Sequence, residues 1–357
     1  MSLQFIKNYM PNWLKNILRP PYGFFLRLWR NMTLNYEKRV KNETSRFDQV
    51  EEVNELPPIF HYWSNRYLRP KLEEYGFSHP DGFFAFYAKK ALKAQQGKVR
   101  ILSIGSGNCD TEVRLAKTLN GEGFDDFIID CMDINQTMFA RGLKLAEAEG
   151  VCQHLQFLQA DFNRWQNEYS YGLIMANQSL HHVMALEHLF TQIQQAMTAD
   201  SYFITSDMIG RNGHKRWPEA LKVLKPIWRD MPGRYSYNHV FKRTEKRYIN
   251  HDCSTEAFEG IRAQDILPLL VERFDFELCI PFANLVTVFI DRTFGSNFDI
   301  NNPEDLAFID AIHSIDEEAF KNGTFKPTQM LAAMRLKGVM SKHPHTDVAK
   351  RALRYPD

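Results

Sequence analysis

From Val99 onward the chain alternates short runs rich in β-branched and aromatic residues with longer stretches of helical spacing, and this alternation constrains the fold most. The runs are VRILSIG, DDFIIDCMD, HLQFLQA, YGLIMAN and SYFITSD. Between them lie EVRLAKTL, TMFARGLKLAEAE and ALEHLFTQIQQAM, whose apolar residues recur at helical spacing. Strand and helix in repetition build a mostly parallel sheet, because parallel neighbours need a crossover far longer than a turn. Helices then cover both sheet faces, and the class is α/β.

The flanks follow from the same reading. Residues 1–57 form a basic aromatic arm and a linker, polar and acidic from about 42 and ending at Pro57-Pro58. Residues 58–98 hold two helices, FHYWSNRYLRPKLEEYGF and DGFFAFYAKKALKA, expected to act as a lid before the core of 99–210. An insert over 211–270, rich in Trp, Tyr, Arg and His, is expected to cap a substrate. In 271–357, FDFELCIP and NLVTVFID read as an antiparallel hairpin closing the sheet, and the rest as helical, with KPTQMLAAMRLKG the clearest helix.

With 44% hydrophobic residues in 357, the chain can bury a large core. Its net charge of +1 hides an asymmetry: residues 1–41 carry eight Lys or Arg against Glu37 alone, a local +7 that leaves −6 elsewhere. A basic footprint confined to one arm does not suit duplex nucleic acid. Within the arm, residues 11–30 interleave aromatics and cations around Pro20-Pro21, which suits peripheral contact with a membrane surface or packing on the main domain. No secretory signal or spanning stretch is read, so the expected address is the cytoplasm, at most at the inner face of the membrane. Five scattered cysteines, none in a C-x-x-C pair, suggest neither disulfides nor zinc, and no metal ligand set is read.

Chemistry concentrates at the carboxyl ends of the runs. After the first, Ser103-Ile104-Gly105-Ser106-Gly107-Asn108-Cys109-Asp110 makes a glycine-rich turn into a helix, with Gly105, Ser106 and Gly107 at closest approach to a ligand. A dinucleotide fingerprint would place a third glycine at Asp110, where a carboxylate instead repels pyrophosphate. A cofactor with a sulfonium and an amino acid tail carries no phosphate to repel. Asp133 ends the second run, where a carboxylate can accept both ribose hydroxyls. Asp161 ends the third and can take an adenine amine, with Phe162 offering an aromatic face and Ile134 lying beside Asp133. Ligands of open α/β sheets bind at this edge.

In the order and spacing of these motifs, residues 99–210 resemble the class I S-adenosylmethionine (SAM) dependent methyltransferase family. The resemblance implies a Rossmann-like, seven-stranded sheet with an antiparallel last strand, SAM as cofactor, and Asn177 of LIMANQSLHHV beside its methionine part. The flanking helices resemble, more loosely, bacterial enzymes of glycan and secondary-metabolite clusters. Three positions depart from the pattern: Ser103 stands for the usual acid before the first glycine, Cys109 for the third glycine and Gly172 for the acid opening the fourth strand. Asp110 or Glu112 is expected to supply the charge that Ser103 lacks. Tyr62 or Trp63 is expected against the cofactor, with Arg66 near its carboxylate.

The expected reaction is methyl transfer to a small-molecule acceptor, a hydroxyl of a glycan, lipid-linked or natural-product intermediate. Candidates for catalysis are His181 and His182 after the fourth strand, and Asp207 and His214 after the fifth, histidine being a base suited to neutral pH. Nucleic acid is not an expected substrate, since Asn177-Gln178-Ser179-Leu180 holds no N-P-P-Y-like tetrad. A non-catalytic SAM-binding scaffold recruited by the basic arm, or a nucleotide-dependent oxidoreductase, are the competing readings.

Overall fold

The computed structural model describes residues 35–48, 55–340 and 345–356. The arm at 11–30 lies outside them. Seven strands form the main sheet: β1 Val99–Ile104, β2 Phe127–Asp133, β3 Leu155–Gln159, β4 Tyr171–Asn177, β5 Met197–Met208, β6 Phe274–Phe282 and β7 Gln329–Leu336. Their order is β3-β2-β1-β4-β5-β7-β6. Only β7 runs against the others, antiparallel to both β5 and β6. The expected α/β architecture, a mostly parallel seven-stranded sheet whose last strand is antiparallel, is therefore observed.

Strands buried on both faces explain the continuous apolar runs. Six of the seven residues of β4 are buried, and Leu173, Ile174, Met175 and Ala176 are wholly inaccessible. Two cores flank the sheet. One gathers Phe83, Phe84 and Ala88 of helix Pro80–Ala94, Val113 and Leu119 of helix Asp110–Gly121, and Trp228 and Phe289 further along. The other gathers Leu189 and Ile193 of helix Leu186–Ala196, Leu267 and Leu270 of helix Ala263–Arg273, and Ala349 of helix Thr346–Ala352.

The closing pair of strands differs from the expected hairpin. β6 is FDFELCIPF, but NLVTVFID holds the short helix Val286–Ile290, and its strand partner β7 is QMLAAMRL from the segment that reads as a helix. Met, Leu and Ala are good helix formers, but propensity is worth only tenths of a kcal/mol per residue. The slot between β5 and β6 demands a strand hydrogen-bonded on both sides and buried on both faces, and this segment fills it. Val286–Ile290 is helical because buried Asp316 accepts hydrogen bonds from the Asn284, Leu285 and Val286 amides and so caps its first turn.

The linker expected from residue 42 is also displaced in kind. Residues 35–48 are a helix lying across the carboxyl edge of the sheet. It is tied there by Arg39 to the Ser254 and Ala257 carbonyls, by Asn42 to the Glu256 carbonyl, and by Arg141 to the Phe47 and Asp48 carbonyls. Among the described residues no helix is long and apolar enough to cross a membrane.

Candidate functional site

The turn after β1 is built on left-handed backbone. Gly105 and Gly107 have φ of +69° and +55°. A Cβ on Gly105 would lie 2.6 Å from the Ser179 Cβ, so the position excludes a side chain on steric grounds as well as conformational ones. Ser179 closes this contact by donating from Oγ to the Ile104 carbonyl at 2.7 Å. Cys109, where the resembled family has its third glycine, keeps the glycine-like conformation with φ of +59°. The Cys109 amide donates to the Ser106 carbonyl, completing the turn before helix Asp110–Gly121.

Asp133 stands at the centre of this edge. Its Oδ2 accepts from the Gly107 amide at 3.0 Å and its Oδ1 from the Asn135 amide at 2.9 Å, tying the end of β2 to the glycine turn. Burial pushes its pKa up, and the Asn135, Gly107 and Ile134 amides oppose that shift. A carboxylate has about four lone-pair sites, so these amides leave acceptor capacity for a ligand donor. Ile134 follows directly, and Asp161 lies beyond the adjacent β3. Asp161 Oδ1 accepts from the Asn163 amide, and Oδ2 accepts at 2.6 Å from the hydroxyl of Tyr36 on the helix 35–48. Burial and then the neighbouring Asp161 raise the Tyr36 pKa, so the phenol is the donor. Phe162 packs half-buried against the second core.

Ser103, at the position where the resembled family has an acid, meets a carboxylate of the next helix. Ser103 Oγ donates to Glu112 Oε1 at 2.5 Å, and Glu112 Oε2 is buried without a hydrogen-bond partner. Burial raises the Glu112 pKa to about 7, and the Ser103 bond opposes the shift. Of the two acids expected to compensate, Glu112 is the one that meets Ser103. Asn177 closes the same region from β4, donating from Nδ2 to Thr111 Oγ1 at 3.2 Å. Gly105, Ser106, Gly107, Asp133, Ile134, Asp161, Phe162 and Asn177 thus share one edge, as parallel strand order requires.

Beside them lies a cluster of histidines and carboxylates. His181 Nδ1 is 2.7 Å from Asp207 Oδ1, and its Nε2 is 3.5 Å from Glu259 Oε1. His214 Nε2 meets the same Glu259 oxygen at 2.8 Å. Burial disfavours the charged form of His181, but Asp207 and Glu259 outweigh it and push the pKa up to about 10. Burial pulls the His214 pKa down. Glu259 is held well below the usual carboxylate range by His181 and His214 despite its burial. His182 Nδ1 lies 2.5 Å from Glu43 Oε1 of the helix 35–48, without the alignment of a hydrogen bond.

Several expected roles change. Asp207 is wholly buried: Oδ2 accepts from the Ser179 and Leu180 amides, and Oδ1 from the Met208 amide as well as facing His181. With every direction used it is a positioning residue for His181, not a base. Tyr62, Trp63 and Arg66 turn away from the glycine turn to helix Pro303–Asn322. There Tyr62 donates to Asp310, Trp63 Nε1 meets His313 Nδ1 at 3.3 Å, and Arg66 pairs with Asp310 at 3.5 Å. The amphipathic spacing of that segment fits packing on a helix, and the aromatics are spent there. The cover over the edge comes instead from 35–48. Glu259, Glu43 and Tyr36 carry no motif in the sequence; each acts only through contacts with distant residues.

No protein-family model and no curated protein matches the chain. Solved structures resemble it in fold. An O-methyltransferase from a trans-AT PKS multienzyme of Brevibacillus brevis, solved with S-adenosylhomocysteine, is 10% identical over 74% of this chain and 76% of its own, with a TM-score of 0.41. A SAM-dependent methyltransferase from Thiobacillus denitrificans, also with S-adenosylhomocysteine, is 12% identical over 79% of this chain and 100% of its own, at 0.40. The cyclase SpnF is 13% identical over 72% and 80%, at 0.41.

Proposed function

We propose that the chain binds SAM at the carboxyl edge of β1 to β4 and transfers its methyl group to a small-molecule acceptor, with a hydroxyl as the acceptor atom. One observation carries the reading: a left-handed glycine turn, two strand-end carboxylates and a buried carboxylate with an unpartnered oxygen converge on one edge of the sheet. Asp133 would hold the ribose hydroxyls and Asp161 the adenine amine, with Phe162 and Ile134 lining the nucleoside. Glu112 would face the methionine ammonium, the charge that its Oε2 lacks, with Asn177 alongside.

The acceptor would enter beside His181, His182 and His214. Methyl transfer is an in-line displacement, so the protein's share is to align the acceptor, exclude water and take or stabilise the hydroxyl proton. The helix 35–48 supplies the exclusion, since it reaches Asp161, His182 and Glu259 at once.

The test is incubation of the purified protein with SAM and metabolite fractions, reading S-adenosylhomocysteine and a product heavier by one methyl. Turnover that falls away in Glu112→Gln and Asp161→Asn supports the reading. Tight SAM binding with no turnover on any fraction would favour a SAM-binding scaffold, consistent with an edge already covered by 35–48. A thermal shift with NAD and none with SAM would overturn both in favour of an oxidoreductase.

A further inference from the structure

We infer that His181, His214 and Glu259 form a binding site for one first-row divalent cation of the zinc and ferrous class. The ligand atoms are His181 Nε2, His214 Nε2 and a Glu259 oxygen, all within 4.8 Å of one another. Atoms that share one ion at about 2.0–2.2 Å lie about 3–3.6 Å apart, so small side-chain movements close the set. Two imidazoles and one carboxylate suit zinc or ferrous iron rather than magnesium, which prefers oxygen throughout.

The surroundings are arranged as for a metal centre. Asp207, held by three backbone amides, faces Nδ1 of His181, which fixes that proton and leaves Nε2 directed at Glu259. A carboxylate behind a histidine in this way orients the ring and makes it a better ligand. The two loops bearing the other ligands are stitched together. The Gly213 amide donates to the Gly260 carbonyl, and the Ile261 amide to the His181 carbonyl. His214 itself holds φ of +56°, and a Cβ on Gly260 would lie 2.9 Å from the His214 ring. A non-glycine residue in that conformation costs about 1–3 kcal/mol and is kept where the surroundings require it.

Charge points the same way. Asp207, Glu259 and Glu43 bring three carboxylates to the cluster, and Arg46, largely exposed, meets Glu259 Oε2 at 3.5 Å. A divalent ion that displaces the His181 Nε2 proton, as coordination requires, would meet this negative charge. Three protein ligands leave a fourth position, where an acceptor hydroxyl would lose its proton more readily. That use of the ion rests on the methyl-transfer reading; its binding does not.

The experiment strips the full-length protein with a chelator and adds zinc or cobalt(II) ions without SAM. Zinc is counted by equilibrium dialysis with elemental analysis, and cobalt by its visible absorption. One ion per chain is expected, with binding weakened at least 100-fold in His214→Ala and Glu259→Gln and about 10–100-fold in Asp207→Asn, but unchanged in His239→Gln, whose ring meets Asn297 outside the cluster. Wild-type protein with no stoichiometric ion and no cobalt band would overturn the site, as would equal binding by His214→Ala. If a ligand variant fails to fold, the cobalt spectrum of the wild type decides, because imidazole ligation alters its position and intensity. SAM affinity measured on the same stripped protein separates the two proposals. Zinc binding without SAM binding removes the methyltransferase reading and leaves the metal site, and the reverse result does the opposite.

Discussion

Ser103 and Glu112 meet at 2.5 Å, the hydroxyl on β1 donating to a carboxylate on the following helix. The carboxylate comes from a residue nine positions further along the chain. Its second oxygen is buried and unpartnered, a costly arrangement for a structural bond alone.

The pH dependence of stability follows. Burial raises the Glu112 pKa to about 7 in the folded chain, above the 4.5 of the free side chain. The folded state therefore favours the protonated acid, and this contribution is fully present below about 4.5 and lost as pH rises toward 7. The loss is on the order of 2–3 kcal/mol. Urea denaturation at pH 5 and pH 8 should show Glu112→Gln gaining stability relative to wild type at the higher pH. A difference independent of pH would show that Glu112 titrates normally.

Ligand binding should reverse that preference. An ammonium beside Glu112 would hold it ionised, so SAM binding at pH 6 should release close to one proton from this group. Calorimetry in two buffers of different ionisation enthalpy would measure it. Glu112→Gln should abolish the difference between buffers and weaken SAM about 10–100-fold, the worth of a charge-assisted bond. A wild-type signal identical in both buffers would rule out the contact.

Tyr36 holds Asp161 Oδ2 that the adenine amine would use. Tyr36→Phe should free that oxygen and tighten SAM a few-fold, while Asp161→Asn weakens it about tenfold. Weaker binding in Tyr36→Phe would instead make the phenol part of the bound site. Fluorescence titration of both variants would distinguish these outcomes.

Gly105→Ala should destabilise the chain even without ligand. The added Cβ falls 2.6 Å from Ser179 Cβ on backbone of positive φ, for a cost of about 1–3 kcal/mol in thermal denaturation. Gly97→Ala, with positive φ but nothing within 4 Å, should cost less. Equal losses would mean that conformation alone, without the close approach to Ser179, sets the penalty.

The sequence by itself determined the parallel half of the sheet and which residues share its carboxyl edge. Strand periodicity is local, and once β1, β2 and β3 lie side by side, Gly105, Asp133 and Asp161 must share an edge whatever packs around them. Only the tertiary structure decided the rest. QMLAAMRL is a strand because a slot between β5 and β6 outweighs its helical propensity, and NLVTVFID is helical because Asp316 caps it from a distant helix. Tyr62 and Trp63 were spent on packing, while residues 35–48 took the covering position, since amphipathic spacing says that a face is buried but not against what. Glu259 joins His181 and His214 through long-range loop contacts, and no local pattern encodes a meeting of three segments so far apart in the chain.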